Sequence, residues 1–130
     1  MTPVDLGMVA DTPEATKRAL QAGDLQADCI LSSGGVSVGE EDHVKAVVEQ
    51  LGSLDLWRLA IKPGKPLAFG RVGTTPFFGL PGNPVSGFVT FMLIARPYLL
   101  TAQGCAETTL TTVYGNADFS AEGGGRREYY

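Results

Sequence analysis

Three short apolar runs in this chain each stop at a loop of glycine or proline. Residues 28–33 pass straight into Gly34-Gly35, residues 54–61 end at Lys62-Pro63-Gly64-Lys65-Pro66, and residues 77–80 end at Pro81-Gly82-Asn83-Pro84. Helix-length segments lie among them. Short buried strands alternating with such segments imply a sheet that carries helices on its faces. The fold expected is α/β, with an open, mostly parallel sheet and helices on both sides.

Residues 4–9 read as a first strand. Asp11-Thr12-Pro13-Glu14 then reads as a helix start, with a carboxylate three positions before a Glu and a proline in the first turn. Ala15, Ala19 and Leu20 supply its apolar stripe, and Gly23 is the expected stop. A second helix is expected over residues 42–51, with Val44, Val47, Val48 and Leu51 on one face and Gly52 closing it. Residues 67–72 and 77–80 flank Gly73-Thr74-Thr75-Pro76, which suits a hairpin. A long helix over 84–103 should bend at Pro97. Residues 105–130 alternate Thr, Gly and apolar positions and read as strands of something else. The expected division is therefore residues 1–104 and residues 105–130.

A length of 130 residues with 44% hydrophobic content suits one packed core. The net charge of -4 disfavours nucleic acid held by bulk charge. That total conceals a division. Residues 1–55 carry ten acids and three bases, residues 56–106 five bases and no acid, and residues 107–130 four acids and two bases. Two cysteines are too few for a disulfide framework, and the first residues show no basic stretch followed by an apolar one. The apolar segment 85–100 is interrupted by Arg96-Pro97 and falls short of the roughly 20 residues a bilayer span needs. A cytoplasmic protein that engages neither membrane nor nucleic acid is expected.

In an open α/β sheet, ligands bind beyond the carboxyl ends of the strands, where these loops fall. Gly34 and Gly35 let the backbone approach a ligand and turn N–H groups toward one point, which suits a phosphate or oxyanion. The same loop also reads as a sharp strand-to-helix connection with carboxylates at a helix dipole. Lys62 and Lys65 lie three apart between prolines that stiffen the backbone, an arrangement suited to a multiply charged oxyanion. No acid between residues 56 and 106 offers them a local partner. In the third loop Pro81 and Pro84 fix the shape, Asn83 offers donor and acceptor groups, and Ser86 falls in the first turn of a helix. Helix capping explains those prolines equally well and Asn83 less well. Asp42 can ligate a hard cation such as Mg2+, with Glu40 and Glu41 close enough to compete. Asp11 reads as a helix cap, a metal ligand or both. His43, Cys29 and Trp57 read as surface or core residues.

Taken together, SSGGVSVGEEDH, WRLAIKPGKPLAFG and FFGLPGNPVS resemble, in this order and spacing, the molybdopterin molybdenumtransferase family, which includes the E domain of gephyrin. The resemblance covers about residues 3–104. It implies an α/β molybdopterin-binding domain followed by the first strands of a truncated β-barrel domain. It also implies insertion of molybdenum from molybdate into adenylylated molybdopterin, with Mg2+ and release of AMP. By motif position, Asp11 and Asp42 match the family's active-site acids, with Asp42 the metal ligand. Lys62 and Lys65 match its molybdate pocket. Gly34, Gly35, Ser37, Pro81, Asn83, Pro84 and Ser86 match loops lining the pterin-phosphate pocket. The family's first βα unit, its preceding domains and most of the barrel have no counterpart here, and its sites form between subunits of a homodimer. A fragment that binds without turnover is expected, with a non-catalytic molybdopterin- or nucleotide-binding module as the alternative.

Overall fold

The computed structural model describes residues 1–36, 43–64, 66–120 and 127–128, without the side chains of Leu56 and Trp57. Helix α1 spans Pro13–Gln26, strand β1 Ile30–Ser33, helix α2 His43–Leu51, strand β2 Gly52–Arg58 and strand β3 Ile61–Lys62. Strands β4 (Pro66–Val72) and β5 (Thr75–Leu80) follow. A helical run then comprises α3 (Pro84–Thr90), a π turn (Phe91–Ala95) and α4 (Arg96–Ala102), and strand β6 covers Arg127–Glu128.

Four strands form the main sheet in the order β1-β5-β4-β2. Only the β1–β5 pair is parallel; β4 runs antiparallel to both β5 and β2. This corrects the expectation of a mostly parallel sheet. Three strands do share one direction, but β4 is inserted between two of them. Its connection to β5 is the pair Gly73-Thr74, with Val72 opposite Thr75, and two residues can close a hairpin but not a crossover. The shared direction of β1, β2 and β5 matters for the site. The loops after all three leave the same edge of the sheet.

Residues 4–9 form no strand, contrary to expectation, and lie exposed. The run is broken in its middle, where Asp5 Oδ1 accepts the Gly7 N–H at 2.8 Å and Gly7 turns to a φ of 74°. That side-chain turn competes with any strand ladder. Among the described residues the outer edge of β1 stays unpaired as a result.

Helix α1 passes through Gly23 instead of stopping there. A Cβ at position 23 would lie 3.0 Å from Ile30 Cγ1, so the glycine lets the helix lie close on β1. The start is also corrected: Thr12, not Asp11, is the N-cap, its hydroxyl accepting the Ala15 N–H at 3.2 Å. Asp11 is one position too early, because the proline at N1 sets the register of the first turn.

The core lies on both sheet faces. On one, Leu20 of α1 and Val47 and Val48 of α2 pack with Ile30, Val36, Ala68, Val72 and Phe77. Burying a side chain of this kind stabilises the fold by about 1.5–3 kcal/mol. Alternation along β5 sends Phe78 to the opposite face, where its ring centroid is 4.9 Å from Phe69 and 5.2 Å from Tyr98. Thr90, Ala95 and Leu99 form the buried positions of the long helical run.

The expected bend near Pro97 takes the form of the π turn, closed by the Arg96 N–H on the Phe91 carbonyl. A wider turn just before the proline accommodates the missing donor and the ring. The run ends where Gly104 adopts a φ of 80° and the Cys105 N–H returns to the Leu100 carbonyl. Pro84–Ala102 amounts to 19 helical residues, long and apolar enough by length and composition alone to cross a membrane, a measure that core helices of soluble proteins also meet. Beyond it, residues 105–120 are without strand, and β6 pairs with β3.

Candidate functional site

Register places the first and third loops side by side. Ser33 pairs with Leu80 at the end of the β1–β5 ladder, and the Gly34 N–H then donates to the Leu80 carbonyl at 3.0 Å. Gly34 and Gly35 have φ of 85° and 67°, a left-handed pair that only glycine adopts without strain. Opposite them, a Cβ at Gly82 would reach the Gly34 Cα at 3.3 Å. The two loops approach backbone to backbone. Val36 then turns inward and is buried over Gly79, where a Cβ would come within 2.5 Å of Val36 Cγ1.

The third loop is set by the helix it starts. Asn83 is the N-cap of α3: its Oδ1 accepts the Ser86 N–H at 3.1 Å and its carbonyl accepts the Gly87 N–H at 2.8 Å. Capping therefore accounts for Asn83 after all. The amide NH2 of Asn83 keeps its donors outside that cap. Pro84, exposed at the first helical position, supplies shape.

The second loop packs along the same helix. Gly64, at a φ of 112°, is buried where a Cβ would strike Thr90 Oγ1 and lie 3.5 Å from the Ser86 carbonyl. The Lys62–Pro63 peptide is cis. Lys62 finds a partner far along the chain, since its Nζ lies 3.4 Å from Glu128 Oε1.

The first and third loops, with Pro66 at the end of the second, border an open cleft of about 350 Å3 lined by Gly34, Gly35, Val36, Pro66, Pro81, Gly82, Asn83 and Ser86. A larger gap of about 1110 Å3 opens on the other side of Gly34-Gly35, between residues 4–11 and the edge formed by α1 and β1. Asp11 lines this gap together with Ser32, whose enclosed Oγ has no hydrogen-bond partner among the described residues. The structure thus brings Gly34, Gly35, Pro81, Asn83 and Ser86 together, sets Asp11 across the same glycine pair, and leaves Lys62 outside the lining of both spaces. Ser37, Asp42 and Lys65 lie outside the described residues, as do Glu40 and Glu41. Val36, Pro66 and Gly82 are lining residues that the sequence reading passed over. The signal for Gly82 was its place between Pro81 and Asn83, and what its missing Cβ permits is the close approach to the Gly34 backbone.

Among the described residues no three of His, Cys, Asp and Glu are grouped to hold a metal ion. A magnesium ion needs fewer, because it takes one or two carboxylates and completes its shell with water and substrate phosphate. Asp11, exposed on the gap, is a carboxylate of that kind. Elsewhere, burial pushes the Cys29 thiol up to about 11, so it is a poor nucleophile at neutral pH.

Residues 1–101 match a family model described as "Probable molybdopterin binding domain". A molybdopterin molybdenumtransferase of Haemophilus influenzae is 48% identical over 101 residues, covering 78% of this chain and 25% of that protein. The Drosophila melanogaster molybdenum cofactor synthesis protein cinnamon is 45% identical over 98 residues, covering 75% of this chain and 16% of its own. Among solved structures, a molybdopterin biosynthesis MoeA protein of Pyrococcus horikosii superposes with a TM-score of 0.67 at 36% identity, over 75% of this chain and 24% of that one. The chain therefore spans about a quarter or less of the length of these relatives.

Proposed function

Because the chain belongs to the molybdopterin-binding domain family, we propose that its loop cleft serves molybdenum cofactor biosynthesis, holding adenylylated molybdopterin while molybdenum from molybdate is inserted and AMP is released. The observation that carries this reading is the convergence of the Gly34-Gly35 loop and the Pro81–Ser86 segment at the carboxyl ends of two parallel strands. Backbone there comes close to any ligand, and the Asn83 amide has donors that its cap does not use. That combination suits a phosphorylated, heteroatom-rich molecule.

Lys62 and Lys65 take the molybdate oxyanion in this reading, as donors on a loop stiffened by Pro63 and Pro66. Asp42 and Asp11 are the carboxylates for Mg2+, whose chemistry when bound is to neutralise phosphate charge as the adenylate is cleaved. Gly34, Gly35, Ser37, Pro81, Asn83, Pro84 and Ser86 shape the pterin-phosphate pocket. In this reading the protein works in the cytoplasm as a homodimer.

Calorimetry with molybdopterin on this chain, followed by a single-turnover assay with adenylylated molybdopterin and molybdate, tests the reading. Binding with AMP release that Asp42→Asn abolishes supports the enzyme. Tight binding with no AMP release from the longer protein favours a non-catalytic module, and absence of binding removes the cleft from this role.

A further inference from the structure

The second loop has its counter-charge supplied from the far end of the chain. Strands β3 and β6 pair in parallel, Ile61 with Arg127 and Lys62 with Glu128, and the Arg127 N–H donates to the Ala60 carbonyl at 3.3 Å. This two-residue ladder sets Glu128 Oε1 3.4 Å from Lys62 Nζ. The two side chains are unequally placed. That of Glu128 is 9% exposed, while that of Lys62 is 57% exposed.

A separation of 3.4 Å is longer than the roughly 2.7–2.9 Å of a strong charge-assisted bond, and exposed ion pairs contribute little to stability. The pair is therefore readily exchanged. Its carboxylate is held by burial and strand pairing, whereas its ammonium sits on an open side chain and has three donors to give. Residues 56–106 contain no acid, so Glu128 supplies a negative charge that the stretch around the loop lacks.

We propose that Glu128 is a built-in competitor for the oxyanion at this loop and sets its affinity: an incoming oxyanion takes the Lys62 ammonium from a carboxylate that stays behind. The inference rests on the reading of residues 62–66 as an oxyanion loop. The competition weakens binding, and it lets the anion leave again without stranding an unpaired ammonium.

Calorimetric titration of the full chain with sodium molybdate tests this, using Glu128→Gln, Glu128→Asp, Lys62→Gln and the double variant. Glu128→Gln should bind molybdate about three- to fivefold more tightly, the size expected when a weak exposed pair no longer has to be broken. The gain should disappear in the double variant, and Glu128→Asp should stay close to the parent. Unchanged or weaker binding by Glu128→Gln, with Lys62→Gln still losing affinity, overturns the competitor and leaves the oxyanion loop standing. Molybdate binding that is insensitive to Lys62→Gln, or absent from every variant, overturns both.

Discussion

The Gly34 N–H is bonded to the Leu80 carbonyl one step past the last register pair of β1 and β5, so the two loops that leave these strands are fastened at their common origin. Cleft geometry thus depends on backbone conformation at a handful of positions. Gly34→Ala meets no neighbouring atom but must hold a φ near 85°, at a cost of about 1–2 kcal/mol. Gly79→Ala collides with Val36 Cγ1 at 2.5 Å and Ala68 Cβ at 3.0 Å, and should cost about 1–3 kcal/mol. Urea denaturation of the two variants gives both values.

The start of α1 separates a cap from a neighbouring carboxylate. Thr12→Ala should lose about 0.5–2 kcal/mol of stability, since it removes the hydroxyl that accepts the Ala15 N–H. Asp11→Asn should leave the unfolding midpoint unchanged and lower AMP release in the longer protein. A large stability loss in Asp11→Ala, which removes the side-chain acceptor, would return that residue to a capping role.

Asn83 has two ends with different work. Asn83→Ala should destabilise by about 1 kcal/mol through the lost cap on the Ser86 N–H. Asn83→Asp keeps an oxygen for that N–H but has no amide donors. Stability near the parent with weakened molybdopterin affinity, read by thermal denaturation and calorimetry, is the expected result.

Burial holds the Cys29 thiol neutral to about 11, above the ordinary value of 9.0. Below the ordinary value the thiol is neutral in folded and unfolded chains alike, and stability does not change with its titration. Above it the unfolded chain ionises first, so stability should fall between pH 9 and 11 and level off beyond. Cys29→Ala should remove that alkaline slope in denaturation curves. At neutral pH iodoacetamide should label the exposed Cys105 well before Cys29.

What could be read from the residues was local in origin. Glycine and proline pairs mark the three loops because backbone torsion is decided within a few positions, and α2 and the β4–β5 hairpin were visible through apolar spacing and turn chemistry. The direction of β4 relative to its neighbours depends on which edge β2 joins, and no short pattern records that. The failure of residues 4–9 as a strand was written in Asp5 and Gly7, whose side-chain turn outweighs the apolar character around it. The partner of Lys62 was invisible for another reason: Glu128 stands 66 positions away, and only the pairing of β3 with β6 brings it near.

The cleft is walled mostly by Gly34, Gly35, Gly82, Pro66 and Pro81, residues with no side-chain torsions or with a closed ring. Such a wall has almost no rotamers to freeze when a ligand settles, so little conformational entropy is lost on the protein side. It also leaves few side chains to exchange. Selectivity at this surface can be altered by moving the backbone of a loop far more readily than by repainting the wall with new functional groups.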